Sequence, residues 1–202
     1  MTNRALFSII ALFLLSGAVT FWFWYDPFVS VGPGMTAPNE PVQENLNENG
    51  MMMVDDYFLT PLATFQIEAR VLSTQRYRSG RESDISPLDL TLGWGPMSDE
   101  TNLEKIDIRQ SARFYFWKTD RFPIPRRDIE INSANMHMIP SSKSVESRLK
   151  QIKPGETVTI TGKLVNVEAA DGWRWRTSLT RNDTGNGACE IVYVEKVEII
   201  DI

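Results

Sequence analysis

The chain has one cysteine, Cys189, among its 202 residues. No disulfide can form within it, so a folded body must rest on an apolar core. It has one histidine, His137. A histidine-rich metal site is therefore excluded, and no spacing of Cys189, His137 and carboxylates marks a mixed one. No metal or cofactor is expected. Basic residues are scarce early on: Arg4 is the only Lys or Arg before Arg70. The net charge is −5 and the pI about 5.0. Nucleic acid is not an expected partner, because binding it needs clustered Lys and Arg that displace counterions.

What is present begins with an apolar run. Residues 5–25 carry no charge and no proline, and end in Phe21-Trp22-Phe23-Trp24-Tyr25. As a helix rising 1.5 Å per residue, such a run crosses a hydrocarbon core of about 30 Å. A terminal aromatic cluster suits the headgroup interface. Between Arg4 and Arg70 lie Asp26, Glu40, Glu44, Glu48, Asp55, Asp56 and Glu68. The positive-inside rule then keeps the amino terminus in the cytoplasm and exports the remainder. The expectation is a single-pass protein of the cytoplasmic (inner) membrane, with the lipid bilayer as partner of residues 5–25. Its carboxy-terminal domain lies outside the cytoplasm, in the periplasm of a Gram-negative cell. Cleavage after Ser16-Gly17-Ala18 is the competing reading. It leaves a mature end whose aromatic cluster faces water.

Residues 1–25 are thus read as a signal-anchor and 26–56 as an acidic linker. The linker holds Pro27, Pro33, Pro38 and Pro41, and its stretch 39–50 is rich in Asn, Glu and Gln. Such a composition buries too little apolar surface to offset ordering entropy, which predicts a flexible tether. Random-coil scaling gives it a span of roughly 30 Å.

Residues 57–202 read as the exported domain. Phe65, Ile67 and Ala69 alternate with Gln66, Glu68 and Arg70, the pattern of a half-buried strand. Residues 106–118 and 129–138 read as further strands. In residues 142–152, Val145, Leu149 and Ile152 fall at helical spacing before Pro154. Residues 157–167 form the next strand. Its apolar phase shifts after Leu164, which predicts a bulge near Gly162 and Lys163. Asp171-Gly172 signals a hairpin turn into a strand over 173–179. Residues 191–200 close the domain. Five or six strands with one or two short helices predict a mainly β domain, a small OB-like β-barrel.

Residues 152–168, IKPGETVTITGKLVNVE, resemble a hairpin common in OB-type barrels. The domain as a whole resembles a family of uncharacterised bacterial membrane-anchored proteins. The residues that carry this are Leu92-Gly93-Trp94-Gly95, the stretch SANMHMIP over 133–140, and WRWRTSLTRNDTGNGACE over 173–190. That resemblance implies an envelope location.

Two functions compete. One is a non-catalytic binding or assembly module whose partner is another envelope protein or a glycan. Its candidate ligand surface is Arg174, Arg176, Arg181 and Asp183, with Asn135 and His137 beside them. Trp and Arg alternating over 173–176 put two rings on one face and two guanidinium groups on the other, a pairing able to stack on and hydrogen-bond a ligand. The other is a Cys-His hydrolase or transpeptidase, with Cys189 as nucleophile, His137 as base and Asn135 or Asp183 orienting it. A membrane anchor, one His and a later Cys resemble the layout of sortases. The sequence before the thiol is Asn186-Gly187-Ala188, however, and no Arg follows it.

Overall fold

The computed structural model describes residues 28–47, 50–180 and 189–200. The chain is mainly β. In order, its elements are β1 (Val42–Asn45), β2 (Met52–Val54), β3 (Tyr57–Arg76), α1 (Arg81–Ile85), β4 (Leu88–Gly93), a 3-10 turn (Gly95–Ser98), α2 (Glu100–Leu103), β5 (Asp107–Ser111), β6 (Phe114–Lys118), α3 (Arg126–Ile131), β7 (Ser133–Pro140), α4 (Lys143–Leu149), β8 (Thr157–Ala169), β9 (Arg174–Trp175) and β10 (Glu190–Ile200). Four short helices stand where one or two were expected. None is long and apolar enough to cross a membrane. The expected span, residues 5–25, lies outside the described residues.

Five strands pair in a closed cycle. β3 pairs with β4, β4 with β7, β7 with β10, β10 with β8, and β8 returns to β3. The β7–β10 pairing is parallel and the other four are antiparallel. Alternation places one side chain in two inside the cycle, as a pleated strand requires. Phe65 and Ile67, Leu90 and Leu92, Met136 and Met138, Val158 and Ile160, and Val192 and Val194 form one buried cluster there. Trp94 joins it, as do Leu149 and Ile152 at the end of α4. Each such large side chain contributes about 1.5–3 kcal/mol by leaving water.

α4 begins where the sequence signals it. Ser142 caps it by accepting from the Val145 N–H at 3.3 Å. In β8, Leu164 and Val165 are both buried, which is the phase shift visible in the sequence. The irregularity falls on the partners rather than at Gly162–Lys163. Register slips between Pro61 and Ala63 in β3, and between Val194 and Lys196 in β10. An extra residue in each neighbour absorbs the change of face while β8 stays continuous.

Three stretches differ from the sequence reading. The strand expected over 173–179 is reduced to β9, Arg174–Trp175, and residues 176–180 form no strand. Residues 106–118 form a hairpin, not one strand. β5 and β6 are joined through Ala112 (φ 50°) and Arg113 (φ 71°), with Ser111 paired to Phe114. Two consecutive left-handed residues make a two-residue hairpin turn, a role normally filled by Asn-Gly. Ala112 adopts this conformation at a cost of roughly 1–2 kcal/mol. Ala112→Gly should therefore add about 0.5–1 kcal/mol of stability, after glycine's own entropy cost, and so raise the urea midpoint. An unchanged or lower midpoint would show that the turn carries no strain. Residues 126–131, assigned in part to a strand, form α3. Pro125 sets its start and Arg126 pairs with Glu130 one turn on.

Composition predicts a tether over 26–56, and its longest described part is residues 28–47. They lie along the domain instead. Val29 N–H donates to the Pro154 carbonyl at 2.8 Å, and Gly95 N–H to the Ala37 carbonyl at 2.8 Å. Ala37 is fully buried, and β1 pairs with β3. Their backbone groups find partners on other elements, so little apolar burial is needed to order them.

Candidate functional site

The insertion between β4 and β7, residues 94–132, and the segment after β8 meet on one face of the cycle. With Leu90, Leu92, Met136 and Met138 turned inward, Asp89, Thr91, Asn135 and His137 point outward. Register sets Asp89 beside His137 and Thr91 beside Asn135. All four are buried. A bare polar row would be solvated, so something must cover it, and two segments do.

The first cover is the tip of the β5–β6 hairpin. Arg113 Nη1 donates to Asp89 Oδ1 at 2.8 Å, and its guanidinium sits 3.7 Å from the Tyr77 ring centre. Asn135 Oδ1 accepts from Gln110 Nε2 at 2.6 Å and from Thr91 Oγ1 at 3.3 Å. Asn135 Nδ2 donates to the Arg113 carbonyl at 2.9 Å. Burial, then the Asp89 charge, push the Tyr77 hydroxyl up to about 12. The second cover is β9. The Trp175 ring lies 4.6 Å from the His137 imidazole. His137 Nδ1 is 2.9 Å from Asp89 Oδ1, an ion-pair distance without hydrogen-bond alignment. Asp89 thus holds Arg113, while Trp175 packs on the His137 ring. This is a clamp that fixes the hairpin and β9 to the sheet.

Beside the clamp is an open cleft of about 540 Å³. The rings of Trp94, Phe114, Phe116, Trp117 and Phe122 line it, with Ser133, Asn135, Cys189 and Glu190 at its polar side. Tyr115 reaches the Ser133 hydroxyl at 3.0 Å. Trp117 and Phe122 meet edge to face at 6.1 Å, and Arg126 stands 5.6 Å over Trp117. Phe116 and Phe122 remain 57% and 51% exposed. The alternation of β6 explains the exposure of Phe116: Tyr115 and Trp117 face the domain while Phe114 and Phe116 face out.

The expected site residues divide as follows. Asn135 and His137 come together, but inside the clamp. Arg174 and Arg176 take the opposite face of the segment whose Trp175 covers His137, and both reach Glu168 Oε1, at 3.4 and 3.6 Å. Exposed pairs of this kind contribute about 0–1 kcal/mol. Arg181 and Asp183 lie outside the described residues. Cys189 lines the cleft, whereas His137 is turned to Asp89 and Trp175. No imidazole lines the cleft beside the thiol. Among the described residues no three or more His, Cys, Asp or Glu side chains are grouped to hold a metal ion.

Sequence reasoning missed Asp89, Arg113, Phe116 and Phe122 as site residues. The run Leu88-Asp89-Leu90-Thr91-Leu92 alternates strictly and signals a strand with one polar face. Nothing local points to Arg113, because its turn lacks the usual residues. No known protein family, curated protein or solved structure matches the chain.

Proposed function

We propose that this chain is a membrane-anchored extracytoplasmic binding module, non-catalytic, whose partner is another protein of the envelope. Residues 5–25 are the anchor in this reading, on their length, apolarity and flanking charge. The finer description of the domain is an OB-type barrel. Its support is the strand order β3-β4-β7-β10-β8, the parallel β7–β10 pair, and a helix, α4, in the connection from β7 to β8, the third and fourth of these strands in chain order.

OB-type barrels take nucleic acids and oligosaccharides on the face of their second and third strands. Here that face is the row Asp89, Thr91, Asn135 and His137, and Arg113 and Trp175 already cover it. Binding then moves to the neighbouring cleft. The observation that carries the reading is its exposed phenylalanine set, Phe114, Phe116 and Phe122. A phenyl ring offers no hydrogen bond to a sugar hydroxyl. A cluster of such rings at a cleft is what a protein partner buries.

The test is photocrosslinking in intact cells. A photoreactive residue at Phe116 should give a discrete protein adduct, and one at exposed Val42 should not. Equal labelling from both positions, or from neither, would falsify the cleft as the binding surface. A reporter active only outside the cytoplasm, fused after Ile202, should be active. An inactive reporter removes the location.

A further inference from the structure

We propose that the domain does not swing on a tether but stands directly on the bilayer, with the Thr157 end of β8 toward the lipid headgroups. The inference rests on the anchor proposed above for residues 5–25. It adds that the surface around Phe28 and Lys153 is a lipid-facing surface.

Residues 28–37 are the first described segment after that run. Backbone and side-chain hydrogen bonds hold this strap to β3, to the 3-10 turn, to α2 and to β8 with the loop before it. Val29 N–H donates to Pro154 O, and Arg70 Nη2 to the Val29 carbonyl at 2.8 Å. Glu100 accepts from the Ser30 hydroxyl, from Val31 N–H at 2.8 Å and from Gly32 N–H at 3.1 Å. Gly34 N–H donates to Asp99 Oδ1 at 3.1 Å, and Thr157 Oγ1 to Thr36 Oγ1 at 3.0 Å. Ala37 N–H donates to Ser98 Oγ at 3.1 Å and its carbonyl accepts from Gly95 N–H. The Arg70 guanidinium lies 5.3 Å from the Phe28 ring. Gly155 (φ +90°) lets the strap pass, because a side chain there would strike the Val29 backbone. A segment held at so many points follows the domain as one piece.

Chain geometry then sets the reach. Three peptide units separate Tyr25 from Phe28, and they span at most about 11 Å even when straight. The aromatic end of the anchor belongs at the headgroup level. Phe28 is therefore within about one headgroup layer of the membrane surface. The two large apolar side chains that the strap leaves exposed are Phe28 (43%) and Met35 (56%). Both suit a wet–apolar boundary better than bulk water.

β8 provides the ruler. It begins at Thr157, three residues after Pro154, and its 13 residues extend roughly 40 Å to Ala169. Lys153 and Ala170 are exposed at its two ends. The full-length chain, in a Cys189→Ala background, is labelled with a fluorophore at Lys153→Cys or at Ala170→Cys. Both are reconstituted into phosphatidylcholine vesicles carrying a headgroup nitroxide quencher. The label at 153 should lose fluorescence and the label at 170 should not. Inserting twenty Gly/Ser residues between Pro27 and Phe28 should abolish the difference, since such a linker adds a span of about 25 Å. Equal quenching at both positions in a protein that stays with the vesicles overturns the orientation alone. A protein that fails to float with the vesicles overturns the anchor, and this inference with it.

Discussion

Glu100→Ala should lower the unfolding free energy by about 3–5 kcal/mol, the range for breaking a buried pair by removing one partner. The Arg70 side chain is 0% exposed, and its Nη2 lies 3.0 Å from Glu100 Oε2. Among the described residues, Arg70 Nε and Nη1 have no hydrogen-bond partner and Glu100 is the one carboxylate paired with this guanidinium. Removing it strands a cation in the core and releases Ser30, Val31 and Gly32 together. Urea unfolding with an unchanged slope measures the effect. A loss below about 1 kcal/mol would mean that the strap contributes nothing to the fold.

The same pair sets an acid limit. The Ser30 hydroxyl, then the Val31 N–H, hold the Glu100 carboxyl below its ordinary 4.5, against the opposing effect of burial. A depressed folded pKa gives stability that is fully present above the unfolded value. That stability is lost as pH falls through the folded one. Stability should therefore begin to drop below about pH 4.5, where the unfolded carboxyl starts to bind protons. Glu100→Gln, which cannot titrate, should flatten this part of the curve while lowering stability at neutral pH. An acid limb that survives in Glu100→Gln assigns the effect to other carboxylates.

Gly162→Ala should cost about 3 kcal/mol, the upper end for overpacking. Gly162 lies in the middle of β8, opposite Val194 in β10 and Phe65 in β3. A methyl there would run into the Tyr193 carbonyl oxygen and stand 3.2 Å from the Val194 Cα. Both are backbone atoms, so no side chain can swing away. The strain falls beside the bulge at Val194–Lys196, where β10 already departs from even pairing. Thermal unfolding should show a lower midpoint, and amide exchange should quicken along β10. A midpoint within about 1 °C of the unsubstituted chain would show that the two strands part freely at this point.

Signals confined to a few residues were legible. Phe65, Ile67 and Ala69 needed only the period of a strand. Val145, Leu149 and Ile152 marked α4 by their spacing, and Pro154 marked its stop. Asp171-Gly172 marked its turn, with Gly172 at φ +90°. Signals carried by distant partners were not. Residues 28–37 carry Gly32-Pro33-Gly34 and no strand or helix periodicity, and their order depends on Glu100 and Asp99 more than sixty positions on. The β5–β6 turn uses Ala112 and Arg113, held by Asp89 and Tyr77 rather than by local preference. His137 stood out because it is the sole histidine, yet its role depends on Asp89, a neighbour only through strand register. The alternation of Trp and Arg over 173–176 separated the two faces. It did not tell that the indole face would close over His137.

The closed cycle also sets the order in which the molecule can assemble. β3 meets β8 across sequence separations that run from 87 (Arg70 to Thr157) to 112 (Tyr57 to Ala169). β10 then enters between β7 and β8 and completes both. Contacts of such long range slow folding, because loop closure precedes any reward. Until residues 190–200 arrive, β7 and β8 each present an open edge rich in Met, Ile and Val. Such an edge is a template for another chain. A chain delivered from its amino end spends its whole delivery in that state. Its safety in this interval depends on how fast the last strand follows, not on the stability of the finished domain.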